Sequence, residues 1–294
     1  MGLDDFEKAL RLREDTEPYF SRAQTQGPAF RFALWIASQL GGLAQDEWAF
    51  VGRNAVDAYL VKYFGPKIFG LCRNAGDVDM ATRGPEALGI LLSSDLWEKQ
   101  FHSSRRDPTN KDSMTIADIV GDDARELTCE VDYWRSNNKD SIDIHNYHGG
   151  PAFFAGFNSI DVFGVAVNVP DLIDLIDIRL RRATKAEEIR PTDRVDLCDL
   201  VSCYVAEKIT SGRIYCNAEG SAMIGLEGEA KELSRMLGDA SETLKTEIFP
   251  KCNIVTIAKY GESGADLKIM DKGQKPIDFL EATRQFMAVY QSLQ

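Results

Sequence analysis

Arg73-Asn74-Ala75-Gly76-Asp77-Val78-Asp79-Met80 is the most informative stretch of this chain. This stretch sets two carboxylates one residue apart in a pattern that suits an extended strand. Because successive side chains of a strand point to opposite faces, Asp77 and Asp79 share one face of the predicted strand. Two neighbouring anions repel each other unless a cation lies between them, and Mg²⁺ is the usual cation where carboxylates act together with substrate phosphates. The stretch therefore indicates phosphoryl or nucleotidyl transfer.

The residues upstream of the acid pair favour this functional interpretation. An isolated Asp-x-Asp also fits a solvated strand end, because 46 of the 294 residues are acidic. Here, however, residues 47–51 read as a short buried strand, Gly52-Arg53-Asn54 follows as a turn, and residues 56–64 keep helical period. A glycine turn that opens a helix presents backbone N–H groups and the positive end of the helix dipole, which suit a phosphate group.

This order of strand, glycine turn, helix and paired carboxylates resembles the nucleotidyltransferase superfamily related to DNA polymerase β, and most closely its abortive-infection toxin branch. The branch's Gly-Gly-x-Ala-Leu motif corresponds to Gly52-Arg53-Asn54-Ala55-Val56, with an arginine in place of the second glycine. Its Arg-x-x-x-Asp-Ile-Asp-Leu motif corresponds to the stretch from Arg73 to Met80. The resemblance implies an α+β fold with a nucleotidyltransferase-like mixed sheet flanked by helices.

The resemblance also implies a reaction that moves a nucleoside monophosphate from a nucleoside triphosphate to a hydroxyl acceptor and releases pyrophosphate. Asp77 and Asp79 would bind Mg²⁺, and Asp143 would add the third carboxylate of a two-metal site and activate the attacking hydroxyl. The implied nucleotide-binding residues are Gly52, Arg53, Asn54 and Arg73. The acceptor stays open between a protein, a small molecule and an RNA end. The toxin branch adds the expectation of an antitoxin-type protein partner.

The third carboxylate has an alternative source. Asp143 stands between two isoleucines and matches the family's pattern of a single acid within a strand, so it is the preferred candidate. Glu130 and Asp132 share one face of another predicted strand. His145 and His148 follow Asp143 as H-x-x-H, a spacing that does not define a transition-metal site without further ligands. These two histidines and Asp143 leave a different metal-dependent phosphohydrolase as a further hypothesis.

The rest of the first half is predicted from local patterns. Helical period predicts a helix over residues 27–43, and Pro85 predicts the first turn of a helix that runs to Leu92. Residues 103–125 are polar and are interrupted by proline and glycine, which predicts a long loop or a short helix beside the site. Residues 159–169 alternate and are rich in valine, which predicts one strand that closes the first domain.

The chain changes character after Pro170, where an amphipathic helix is predicted. We therefore expect two domains: a nucleotidyltransferase-like domain with N-terminal helices over residues 1–169, and a mainly helical domain over residues 170–294. Within the second domain, helical patterns cover residues 228–237, 241–249 and 276–294, and one strand is predicted over residues 253–259.

Three aspartates near the start of this second domain carry a further motif. Asp193 and Asp196 correspond to the two acids of the toxin branch's Lys-Asp-x-x-Asp-Leu segment, and Asp199 continues the three-residue spacing. The same spacing fits an acidic helix start that grades into a solvated face. The branch's lysine in the preceding helix is not evident, because Ile176 or Asp177 stands near the expected place. This departure and Arg53 motivate an alternative function, a nucleotidyltransferase-fold binding or regulatory module with impaired catalysis.

Composition narrows the class of protein. The chain is 44% apolar, which is typical of globular proteins, and no apolar run approaches the roughly 20 residues that cross a bilayer. The acidic N-terminus lacks a signal-peptide pattern, so a cytoplasmic protein without membrane contact is expected. The six cysteines are scattered, which predicts free, buried thiols. A net charge of −12 argues against broad affinity for nucleic acid, although arginines at 105–106 and 179–182 are candidates for a local basic patch.

Overall fold

A computed structural model describes residues 28–65, 68, 75, 77–82, 86–92, 102–106, 111–117, 126–133, 156–185, 188–217, 219–220, 222–252 and 277–293. Several predicted features lie outside the described residues: Arg73, Asp143, His145, His148 and the strand at 253–259. The chain divides into two units, residues 1–62 with 72–171 and residues 63–71 with 172–294.

In the described part of the first unit, a helix comes first and is followed by strands and helices. The proline that opens the first helix suits an initial helical turn, where its missing N–H costs nothing. The elements in order are α1 (Pro28–Leu40), β1 (Trp48–Phe50), α2 (Arg53–Phe64), β2 (Asp77–Thr82) and α3 (Glu86–Leu92). The predicted succession of strand, glycine turn, helix and acid-bearing strand is therefore confirmed.

Three further strands complete a five-stranded sheet: β3 (His102–Arg106), β4 (Lys111–Ala117) and β5 (Glu126–Tyr133). The strand order is β1-β2-β5-β4-β3, with β2 and β5 parallel and the other neighbours antiparallel. The prediction of a loop or short helix over residues 103–125 is wrong, because β3 and β4 lie there. The physical reason is that alternation, rather than apolar content, defines these strands, since Met114 and Ile116 alternate with Ser113 and Thr115.

A separate hairpin consists of β6 (Asn158–Val162) and β7 (Val165–Val169). Its two-residue turn is Phe163-Gly164, and both residues have positive φ, 56° and 81°. Such a turn matches the twist of the flanking strands, and the Gly164 N–H donates a hydrogen bond to the Asp161 carboxylate at 3.1 Å. The prediction of one strand over residues 159–169 is therefore corrected to two strands that reverse at Gly164.

The core of the first unit lies between α1 and the strands. α1 packs against β2, β7 and α3, and its buried side chains include Leu34, Ile36 and Leu40. On β2, Val78 and Met80 are fully buried, which leaves Asp77 and Asp79 at the alternate positions of the strand. The alternation that the sequence predicted for β2 is confirmed.

The second unit is built mainly from helices. The elements in order are α4 (Leu172–Lys185), α5 (Pro191–Thr210), the short pair β8 (Tyr215–Cys216) and β9 (Met223–Ile224), α6 (Leu226–Leu237), α7 (Ala240–Thr243), a π turn (Leu244–Ile248), a 3-10 turn (Phe249–Lys251) and α8 (Phe279–Ser292). α5 packs against α4 and α8, and α6 packs against α4 and α8. None of the helices in the described residues is long and apolar enough to cross a membrane.

Aromatic and hydroxyl groups hold the core of the second unit together. The ring centroids of Tyr204 and Phe286 lie 5.9 Å apart, and those of Phe249 and Tyr290 lie 5.4 Å apart. The buried Tyr204 hydroxyl donates to the Glu229 carboxylate at 3.3 Å. Burial, and then the negative charge of Glu229, raise the pKa of Tyr204 well above its ordinary value, so the phenol keeps the proton that it donates.

Two cysteines of the second unit correct a prediction. Cys198 on α5 and Cys252, directly after the 3-10 turn, form a disulfide with their Cα atoms 6.5 Å apart. The prediction of free thiols is wrong for this pair, while Cys203 and Cys216 are buried thiols as predicted. The paired cysteines are 54 residues apart in sequence, so no local spacing could reveal a contact that the packing of the second unit creates.

Candidate functional site

The turn between β1 and α2 lies directly against the acid-bearing strand. The Val51 N–H donates a hydrogen bond to the Asp79 carbonyl at 3.1 Å, which brings the following residue, Gly52, beside Asp79. A Cβ atom at Gly52 would overlap the Asp79 carboxylate and would lie 2.7 Å from both Cβ and Cγ of Asp79. Glycine is therefore required here because two segments approach closely. The predicted glycine turn and one of the two predicted acids meet in space.

Gly52→Ala tests whether this close approach matters for ligand binding. The added methyl group must displace the Asp79 carboxylate, so we expect the affinity for a magnesium–triphosphate complex to fall about tenfold or more. Isothermal titration calorimetry with a non-hydrolysable triphosphate measures this change. Gly89→Ala is the matched control, because Gly89 lies in α3 of the same unit with open space where the added methyl group would lie, and alanine is the better helix former by about 1 kcal/mol. Unchanged binding by Gly52→Ala would contradict the role of the turn.

Arg53 and Asn54 form the first turn of α2 and are both buried. The Arg53 Nε donates to the Asp57 carboxylate at 2.8 Å, one turn further along the same helix. The guanidinium that replaces the second glycine of the motif is therefore neutralised within its own helix. The arrangement fixes the first turn of α2, whose N-terminal backbone N–H groups are the expected phosphate ligands.

A second strand places acids in line with Asp79. In the parallel pair of β2 and β5, Asp79 is the Cα partner of Glu130, and Ala81 is the partner of Asp132. Partners in such a pair share one face of the sheet, and neighbouring strands lie about 4.8 Å apart. Positions 77, 79, 130 and 132 therefore belong to one face. Register puts Glu130, which the sequence offered as an alternative to Asp143, at the position next to Asp79.

The donor chemistry of this face suits Mg²⁺, because carboxylate oxygens are its protein ligands. Among the side chains that the structure describes, no group of three or more histidine, cysteine, aspartate or glutamate residues could hold a metal ion. The described side chains include Asp79 but not Asp77, Glu130 or Asp143. The magnesium site at Asp77, Asp79 and Asp143 therefore stays a prediction, with Glu130 added by register.

The second unit contains a separate cluster of buried charges. Asp193, Asp196 and Asp199 are all buried at the start of α5. Arg179 of α4 approaches Asp196 at 3.5 Å and Asp193 at 3.8 Å. Arg190, the residue before the helix, donates to both carboxylate oxygens of Asp193 at 2.9 and 3.2 Å. The alternative of a solvated acidic face is therefore wrong for these three aspartates.

Arg179 is a residue whose role the sequence did not reveal. It lies one turn beyond Ile176 on α4, and its guanidinium supplies the cation that contacts the aspartates matching the toxin-branch motif. The toxin-branch motif predicts a lysine near position 176 and does not point to Arg179. The available signal was that Arg179 is a cation three residues further along the same helix. Because Arg179 is buried, it does not belong to an exposed basic patch, which corrects the prediction for residues 179–182 at this position.

No family model matches the chain, and no curated protein matches it. Among solved structures, the crystal structure of JHP933 from Helicobacter pylori is similar, with 15% sequence identity and a TM-score of 0.39 over 89% of this chain and 88% of that chain. A likeness of this degree carries no argument about fold or function. The functional assignment therefore depends on the residues themselves.

Proposed function

We propose that the chain is a Mg²⁺-dependent nucleotidyltransferase. The acceptor hydroxyl oxygen would form a bond to the α-phosphorus of a nucleoside triphosphate, the bond from that phosphorus to the bridging oxygen would break, and pyrophosphate would leave. The hydroxyl proton would pass to a carboxylate of the site, for which Asp143 is the sequence candidate. Asp77 and Asp79, with Glu130 at the neighbouring register position, would hold the metal.

One observation carries this proposal: the Asp79 carboxylate lies so close to Gly52 that no side chain fits between them. This contact puts a metal-ligand type of side chain beside the N-terminal end of α2, where backbone N–H groups favour phosphate. A triphosphate needs both features within a few ångströms, because its charge must be met by a cation and by hydrogen-bond donors together. The contact thus supports a joint site for metal and phosphate.

The residues of the chain then have distinct roles. Gly52 and Asn54 would hold the β- and γ-phosphates at the helix start, and Arg73 would offset their charge. Arg53 would act through its ion pair with Asp57 as a positioning residue for the first turn of α2. Bound Mg²⁺ would stabilise the charge that develops on the entering and leaving oxygens.

Transfer of label tests the proposal directly. The chain is incubated with each α-labelled nucleoside triphosphate and Mg²⁺ in separate pools of RNA, protein and small metabolites. We expect label in one pool, loss of transfer when the metal is chelated, and recovery when Mg²⁺ is restored, because the carboxylates and the triphosphate are both anionic and repel each other without a cation between them. Transfer that survives chelation would contradict the metal's role, and no transfer into any pool would contradict the activity.

Arg53 favours a second candidate function, a binding or regulatory module that keeps the fold and has lost the chemistry. In this case Arg53, held by its buried ion pair with Asp57, would stand where catalysis needs the second glycine of the turn. Calorimetry separates the two functions, because metal-dependent triphosphate binding without turnover would support the module. A cytoplasmic location and an antitoxin-type partner belong to the nucleotidyltransferase proposal and rest on the sequence resemblance.

A further inference from the structure

The face of the sheet that carries Asp79 changes charge from one side to the other. Register places three rows of positions on this face, each row crossing β2, β5, β4 and β3 in that order. The rows are Asp77-Thr128-Thr115-His102, Asp79-Glu130-Ser113-Ser104 and Ala81-Asp132-Lys111-Arg106. Every acid of the three rows is on β2 or β5, and every base is on β4 or β3. A cation would be attracted to one half of the face and an anion to the other.

The third row has two basic residues at directly opposed positions. Arg106 and Lys111 are direct partners in the antiparallel pair of β3 and β4, and like charges at opposed positions destabilise a sheet. Asp132 is the partner of Lys111 on the other side, so the row has two positive charges and one negative charge. On the opposite face, Arg105 is paired with Asp112, which balances its charge. An anion bound at Arg106 and Lys111 would relieve the repulsion.

We propose that Arg106 and Lys111 bind a phosphate group of the acceptor substrate. This inference rests on the proposed nucleotidyl transfer and names the acceptor's chemical class. The midline between β4 and β3 lies two strand spacings, about 10 Å, from the midline between β2 and β5. The row of Arg106 and Lys111 also lies two residues, about 7 Å, along the strands from the row of Asp79 and Glu130. The acceptor therefore carries its reactive hydroxyl roughly 12 Å from a phosphate. Two cations are enough to bind one phosphate group, whereas binding along a polynucleotide backbone needs many more.

Titration with inorganic phosphate tests the anion site without any nucleotide. We expect saturable binding by ³¹P NMR that weakens about tenfold in Arg106→Gln and in Lys111→Gln, and that declines with salt less steeply in each variant than in wild type. Arg105→Gln is the matched control, because it removes the same charge from the next position of β3 on the other face. Arg106→Lys should keep most of the binding.

Three outcomes overturn the anion site: no saturable binding by the wild-type chain, an equal loss in Arg105→Gln, or full binding by both Arg106→Gln and Lys111→Gln. Thermal unfolding of every variant shows whether a loss of binding is only a loss of folding. If phosphate binding follows the expected pattern but no pool accepts label, the anion site stands and the proposed function fails.

Enzymatic treatment of the accepting pool identifies the source of the phosphate. Loss of transfer after phosphatase treatment supports a small phosphomonoester acceptor, and loss after ribonuclease treatment supports the phosphodiester of an RNA end. In either case Arg106→Gln should raise the KM for the acceptor about tenfold and leave the KM for the triphosphate unchanged. Transfer that resists both treatments shows an acceptor without the required phosphate and overturns the proposal.

Discussion

Asp79→Asn is expected to lower nucleotidyl transfer roughly a hundredfold or more, because the amide cannot supply the negative charge that holds a divalent cation. Asparagine has the size and shape of aspartate, so it fits beside Gly52 where a larger side chain would not. The free energy of unfolding should stay within about 1 kcal/mol of wild type, since Asp79 is only partly buried. Label transfer measures the first quantity and urea denaturation the second.

The control for this variant is Glu86→Gln, which removes one negative charge from an exposed position on α3 of the same unit. Its transfer rate should equal that of wild type. A carboxylate beside a helix N-terminus can also act only as a cap, with a contribution of about 0.3–1 kcal/mol. If Asp79→Asn is less stable by that amount and transfers label at the wild-type rate, Asp79 is a cap and the assigned chemistry is wrong.

The parts of the site that sequence reasoning reached are those that short-range patterns encode. The alternation of Asp77, Val78, Asp79 and Met80 predicts a strand with one acidic and one apolar face, and Val78 and Met80 are indeed buried. Helical period and the glycine turn likewise predict α2 close to its observed bounds. Each of these signals spans fewer than about 12 residues, over which local geometry dominates.

The parts that sequence reasoning missed depend on pairing between distant segments. Asp79 and Glu130 are 51 positions apart in sequence, and only the parallel pairing of β2 with β5 puts them at one register position. The preference for Asp143 came from its apolar neighbours and from the resemblance, and it stays a prediction because Asp143 lies outside the described residues. The hairpin of β3 and β4 was missed because most of its residues are polar.

The charges at the start of α5 show the same limit. Three-residue spacing indicates that Asp193, Asp196 and Asp199 lie near one another, but it does not distinguish a wet face from a buried one. Burial depends on α4, which packs against α5 and brings Arg179 to the aspartates. Charges taken out of water must be paired, so the burial of the aspartates explains why an arginine of α4 faces them.

Arg179→Met is expected to lower the free energy of unfolding by about 3–5 kcal/mol, because it removes the guanidinium that faces two buried carboxylates. Methionine keeps most of the side-chain length, so the loss reports on charge more than on packing. Asp193 retains its ion pair with Arg190, so we expect the larger part of the penalty to come from Asp196. Urea denaturation followed by circular dichroism measures the change.

Arg181→Ala is the matched control on the same helix. The Arg181 side chain is 45% exposed and pairs with Asp177 at 2.7 Å one turn away, and an exposed pair of this kind contributes about 0.3–0.5 kcal/mol. Adding Asp196→Asn to Arg179→Met should restore part of the lost stability, because the uncompensated charge is then removed with its partner. If Arg179→Met costs no more than Arg181→Ala, the buried cluster does not stabilise the second unit. A double variant that is less stable than Arg179→Met would instead show that Asp196 is held by other partners and that Arg179 is not its main counter-ion.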